Sequence, residues 1–202
     1  MDLILLVGPQ AVGKMTVGKA LEEKIEARLL FNHETIDLFA RFLGYTAETF
    51  RLSERIRLDL FRAFTENAET NATQGIIFTV VAGFDMEADW NVLREWTSIF
   101  LDAAGSVYFV ELEADLNERL ERNKSDYRLS KKPSKRDLSF SEMELLESMK
   151  KHRLNSLDGE VTEKLPGVHY LKINTTQLSA EVTADRITSW LDKKGFGEIS
   201  SF

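Results

Sequence analysis

Between Leu3 and Lys19 the chain reads LILLVGPQAVGKMTVGK. Gly8, Gly13 and Lys14 have the G-x-x-x-x-G-K spacing of a phosphate-binding loop. Gly8 and Gly13 let the backbone curl so that successive N–H groups, those of Ala11, Val12 and Met15 among them, point at one anion. A helix that follows directly aims its positive end at the same point. Lys14 adds a full charge over the β and γ phosphates of a nucleotide. The hydroxyl that usually follows the lysine and binds magnesium is replaced by Met15, and a hydroxyl comes one residue later, at Thr16. A thioether is a poor ligand for a hard cation. Magnesium is therefore expected to be held largely through water, with Thr16 and Asp85 as its protein contacts.

Phosphoryl transfer also needs an acceptor site and a group that takes or orients the acceptor's proton. A polar cluster at Asn32, His33, Glu34 and Asp37 follows a short apolar run, and Asp85 follows another. Asp37 or Asp85 is the candidate to orient an acceptor hydroxyl, Glu34 is a lesser one, and Asn32, His33 and Asp37 are candidate substrate contacts. From Glu118 to Asp137 there are eight Lys and Arg against four Asp and Glu, a basic window in a chain of net charge −7. Arg122 and Arg128 bracket its start and are the candidates to close over a transferring phosphoryl group. Asn123-Lys124-Ser125-Asp126 has the spelling of a guanine-reading N-K-x-D motif, but it follows a charged helical stretch where that motif needs an apolar strand. The three histidines have no metal-ligand spacing, and cysteine is absent, which excludes disulfides, thiol catalysis and cysteine zinc sites.

The elements that must position these residues alternate. Leu3–Val7 is a buried strand, Lys14–Ala27 a helix, Arg28–Phe31 a second strand. Ala47–Ala72 is helical, with Phe50, Ile56, Leu60, Phe61 and Phe64 at mixed three- and four-residue spacing. Its Arg51, Arg55, Arg57 and Arg62 are read as surface residues; their convergence on an acceptor phosphate would mark a nucleotide kinase. Ile76–Val81 is the most β-like run and the expected central strand. Helix Asp89–Ala104, strand Val107–Leu112, helix Asp115–Asn123, an amphipathic helix Ser141–Leu157 opened by a Ser141/Glu144 capping box, strand Val168–Ile173 and helix Ser179–Lys193 follow. This alternation predicts an α/β fold with three layers and a five-stranded parallel sheet. One domain over 1–202 is expected, with a lid at about 123–140 and a helical acceptor region at about 33–72. The acidic balance argues against nucleic acid or anionic membrane as partners. With no apolar run near ~20 residues and no signal peptide, the expected location is the cytoplasm.

Taken together, GPQAVGKMTVGKAL, NHETID, LNERLERNKSDYR and INTTQLSAEVTADRI resemble the small P-loop kinases, which include shikimate, gluconate and adenylate kinases and chloramphenicol phosphotransferase. The resemblance is closest to a shikimate kinase-like branch of AAA-family ATPases with a G-P-P-A-V-G-K loop. It implies ATP and magnesium as cofactors, with Gly8, Gly13, Lys14 and Thr16 at the phosphates and Arg122 and Arg128 in the lid. Thr175, within Asn174-Thr175-Thr176, falls where such kinases contact adenine, and the region after the second strand is where they hold the acceptor. The G-G-G and the paired shikimate-binding motif are missing, which places shikimate itself in doubt. The expected activity is ATP-dependent phosphorylation of a small hydroxyl-bearing acceptor. A nucleoside or nucleotide kinase, an ATP-binding regulatory module and an antibiotic-inactivating enzyme are the alternatives.

Overall fold

The computed structural model describes residues 1–124 and 138–197. Five strands, β1 (Asp2–Val7), β2 (Ala27–Phe31), β3 (Gly75–Val80), β4 (Ser106–Glu113) and β5 (His169–Asn174), form one parallel sheet in the order β2-β3-β1-β4-β5. The central strand is β1, not the Ile76–Val81 run expected there. Both strands are buried along their whole length and largely apolar because both are covered on two faces, so composition could not rank them.

Side-chain alternation divides the core. Leu3, Leu5 and Val7 pack with Phe61, Phe78, Trp96 and Phe100 on one face. Ile4 and Leu6 pack with Val17, Leu21, Ala184, Ile187 and Leu191 on the other. The first face is covered by α3 (Ala47–Glu66) and α4 (Glu87–Asp102), the second by α1 (Lys14–Glu22) and α8 (Ala180–Asp192). Phe61 meets Phe78 and Phe100 edge to face at 5.6 Å, a geometry that adds to burial.

The register decides where a site can form. Val7 is level with Val80 on β3 and with Glu111 on β4. The chain therefore leaves β1, β3 and β4 along one edge, and the loops after them meet there. The α2 helix (Asn32–Leu43) starts at the same edge directly after β2 and forms a hairpin with α3. α5 (Leu116–Asn123), α6 (Leu138–Lys151), the short α7 (Glu160–Lys164) and a single 3-10 turn at Ala68–Thr70 complete the described elements.

Several expected boundaries move. α1 ends at Glu22 rather than Ala27, and α3 at Glu66 rather than Ala72. Ser141 is no N-cap: α6 already begins at Leu138, and buried Ser141 donates from Oγ to Asn123 Oδ1 (3.0 Å). α6 stops at Lys151, six residues before the expected Leu157, because residues 153–156 are tied elsewhere. Asn155 Nδ2, Ser156 N–H and Ser156 Oγ all donate to fully buried Glu111 on β4. Of the residues Met143, Leu146, Met149, Leu154 and Leu157, expected on one apolar side of this helix, Met143, Met149 and Leu157 are exposed and Leu154 is buried beyond its end.

Candidate functional site

The phosphate loop runs from Gly8 to Gly13 between β1 and α1. Gly8 has φ +149°, and a Cβ there would lie 2.3 Å from the Leu112 carbonyl oxygen, so only glycine lets β1 and β4 stay in register at this edge. Gly13 caps α1 in the left-handed region (φ 108°) without a side-chain cap. Between them Ala11 also has positive φ (60°), an uncommon state for a residue with a Cβ. Left-handed residues within a tight loop turn successive N–H groups to one side and make an anion-binding concavity. Val17 N–H is the first to bond within α1, to Gly13 O (2.9 Å). The turn before it, Lys14, Met15 and Thr16, lines a cavity of about 810 Å³ together with Ala11, Val12 and Gly13. That volume lies near the upper end of the ~300–1,000 Å³ usual for small-molecule sites. Lys14 Nζ lies back over the loop, donating to Gly8 O (2.5 Å) and Pro9 O (2.8 Å).

α5 holds this loop from outside. Arg119 and Arg122 lie three residues apart, on one side of the helix. Buried Arg119 donates from Nε to Gln10 O (2.8 Å). Arg122 donates from Nη1 to Val12 O (2.9 Å) and Thr175 Oγ1 (3.1 Å), from Nη2 to Thr175 O (2.7 Å), and from Nε to Glu118 (2.8 Å). Arg122 thus lines the cavity as a strut joining α5, the phosphate loop and the turn after β5. Thr175 is buried and lines the same space, as do Leu178, Ser179, Ala180 and Thr183 around the start of α8. These four and Arg119 were not singled out from the sequence, although INTTQLSAEVTADRI and LNERLERNKSDYR contain them.

Across the cavity stands the start of α2, where Asn32 and His33 both line it. His33 Nδ1 is 3.5 Å from Asp37 Oδ1 one turn later, and the Tyr45 hydroxyl donates to the same oxygen (3.0 Å). Asp37 is not in the cavity wall; it stands behind His33. Behind Asn32 is buried Arg57 of α3, which donates to Asn32 O (3.1 Å), Thr35 Oγ1 (2.8 Å) and Ser53 Oγ, and lies over the Phe78 ring. Burial lowers the pKa of Arg57, against the raising effect of Glu54. The buried stripe of α3 is Thr49, Ser53, Arg57, Phe61 and Phe64, while Phe50, Ile56 and Leu60 of the expected apolar set are exposed. The near half of α3 is therefore inside out: polar side chains face α2, and Phe50 faces the cavity rim.

The remaining site candidates are placed apart from this cavity or outside the described residues. Asp85 accepts from Arg153 N–H (3.0 Å) and lies 3.5 Å from His152 Nδ1, away from the cavity wall. Burial pushes its carboxyl up, and the Arg153 N–H and His152 more than offset this and hold it below the ordinary value. Glu34 is exposed and not in the wall. Arg128 and most of the expected lid lie outside the described residues; Phe140 and Glu144, at the start of α6, line the cavity. Among the described residues no three acidic or histidine side chains cluster as a metal site, and no helix is long and apolar enough to cross a membrane.

No family model matches the sequence, and no curated protein matches it. Solved structures do share its shape over nearly the whole chain. A kinase candidate from Chloroflexus aurantiacus superposes with a TM-score of 0.61 at 17% identity, covering 95% of this chain and 96% of its own. Shikimate kinase from Acinetobacter baumannii, solved with shikimate, gives 0.54 at 22% identity over 96% and 93%. The tunicamycin resistance protein of Deinococcus radiodurans gives 0.55 at 18% identity over 95% and 96%. The chain has the fold of the small P-loop kinases.

Proposed function

We propose that this protein is an ATP-dependent phosphotransferase acting on a hydroxyl group of a small molecule. One observation carries the reading: a single cavity joins a phosphate cradle at the start of α1 to a second polar wall at the start of α2. A nucleotide-holding loop alone would need only the first. Two of the structures that share the fold are named as shikimate kinase and sugar kinase, which weighs the same way as an analogy of fold.

In this reading the loop N–H groups and Lys14 hold the β and γ phosphates, and the base lies toward Thr175 and the start of α8. The acceptor oxygen bonds to the γ-phosphorus as the bond from that phosphorus to the bridging oxygen breaks, and ADP leaves with the electron pair. His33 takes the hydroxyl proton, Asp37 stands 3.5 Å from its Nδ1 as a positioning residue, and the Tyr45 hydroxyl holds Asp37. Arg122 keeps the cradle in shape. The donor set fits magnesium only as an ion carried mostly by phosphates and water, with the Thr16 hydroxyl as a protein oxygen in the wall. When bound, magnesium neutralises phosphate charge. Asp85 has no part in this reading.

Thermal unfolding with and without ATP and magnesium tests it, because a ligand bound only to the folded state raises the melting temperature by mass action. The wild type should be stabilised and Lys14→Ala should not. Equal shifts in both proteins would remove the phosphate-loop assignment. A shift with ATP that no alcohol converts into ADP release would favour an ATP-binding regulatory module.

A further inference from the structure

We infer that the acceptor is an alcohol carried on a largely apolar ring body that bears no carboxylate or phosphate ester; this rests on the phosphotransfer reading above.

The acceptor side of the cavity is walled by Ile36, Tyr45, Phe50, Val80, Val81 and Phe140, with Glu144 one turn beyond Phe140 in the same wall. Tyr45, Phe50 and Phe140 are 51%, 50% and 51% exposed. Three half-exposed aromatic rings in the wall of one cavity offer surface that an apolar ring would cover, and aromatic faces take such partners edge to face or offset. Phe50 stands there at the expense of local amphipathicity, since the neighbouring buried positions of α3 are Thr49 and Ser53. A helix that shows its aromatic residue to a cavity and buries its hydroxyls departs from the ordinary pattern, and such departures mark function.

Among the described residues, the arginines that could recognise an anionic acceptor from α3 are engaged elsewhere. Arg51 pairs with Glu48, Arg55 with Asp59, Arg57 with Glu54 and Arg62 with Glu95. The arginines of α3 therefore do not converge on the cavity, which also weighs against a nucleotide monophosphate. Among the described residues the cations in the wall are Lys14 and Arg122, and both belong to the phosphate-loop end. A carboxylate set against Phe50 and Val81 would lose its hydration without a charged partner.

The polar groups on this side suit one hydroxyl. Asn32 N–H is taken by Thr79 Oγ1 (3.2 Å). Asn32 Oδ1 is out of water and has no hydrogen-bond partner in the structure. An acceptor atom in that state is satisfied by a hydrogen-bond donor from a ligand, and a hydroxyl is one. His33 lies beside it.

Matched probes test the charge class: methyl 4-(hydroxymethyl)benzoate, free 4-(hydroxymethyl)benzoate, shikimate and methyl shikimate. Binding is read by calorimetry, with and without a non-hydrolysable ATP analogue. Each ester should bind at least about tenfold tighter than its carboxylate, a difference of about 1.4 kcal/mol. Phe50→Ala should weaken ester binding while leaving the analogue's own affinity unchanged. Carboxylates binding as tightly as the esters, or no ester binding in either condition, would overturn the inference. Failure of the analogue to bind strikes the transfer reading instead, and the charge preference is still read from the arm without nucleotide.

Discussion

At the scale of residues, the phosphate loop depends on backbone states that side chains resist. Gly8 sits where a Cβ would run into the Leu112 carbonyl of the neighbouring strand. Gly8→Ala is therefore expected to destabilise the fold by about 2–4 kcal/mol, the sum of a left-handed backbone penalty and an overpacking cost. Urea unfolding would measure it, and a loss under about 1 kcal/mol would mean that β4 yields easily at this edge. Ala11 meets the same backbone demand with a methyl group in place (φ 60°). Backbone strain at functional sites is common where surrounding structure over-determines it, and Ala11 is held between buried Val12 and the Gln10 carbonyl gripped by Arg119.

At the scale of elements, α5 is a clamp. Its two arginines reach carbonyls on the phosphate loop, and Arg122 reaches Thr175 after β5 as well. A guanidinium spans these acceptors because its donors are fixed in a plane, whereas an ammonium is a point charge. Arg122→Lys should therefore behave more like Arg122→Ala than like wild type. Both should lose about 1–3 kcal/mol of stability, as expected for charge-assisted bonds left unmade in a half-buried site. They should also show a smaller ATP-induced rise in melting temperature. Full retention of that rise in Arg122→Lys would show that charge alone suffices. The α2–α3 hairpin is the other positioning element. Its polar interface of Thr35, Ser53 and Arg57 sets Asn32 and His33 at the cavity, with Phe61 and Phe64 anchoring the far end of α3 in the core.

At the scale of the whole molecule, two sides of the sheet edge are joined by a buried carboxylate. Glu111 on β4 accepts from Asn155, Ser156 and the Tyr170 hydroxyl, and Lys172 on β5 is 3.4 Å away. Burial pushes its pKa up, but the Ser156, Asn155 and Tyr170 donors outweigh this and hold it below the ordinary 4.5. The same site raises the pKa of Tyr170, first through burial. Because the folded state holds Glu111 more acidic than the unfolded chain does, its contribution is present in full above pH ~4.5 and is lost as pH falls through the folded value. Stability measured by urea unfolding from pH 7 downward should fall more steeply in the wild type than in Glu111→Gln below that point. At pH 7 the variant should be weaker by about 1–3 kcal/mol. Parallel curves would show that the carboxylate is not linked to folding.

Much of this was legible in the chain. Alternating apolar runs and helical stretches are local signals, and they determined an α/β parallel sheet of five strands. The spacing of Gly8, Gly13 and Lys14 determined a loop with one available geometry, because two glycines and a following helix leave the backbone few ways to turn. The ends of elements were less legible. Ser141 and Glu144 carry a capping-box spelling, yet α6 runs through them because Asn123 offers Ser141 a buried partner. Which strand is central, which face of α3 is buried and where each acid points depend on partners distant in sequence. Asp37 and Asp85 look alike as acids after strands; only the packed chain puts Asp37 behind His33 and ties Asp85 to Arg153. Phe50 reads as a core residue by spacing and stands instead at the mouth of the cavity. A side chain's environment is the sum of contacts from several segments, and no single segment contains that sum.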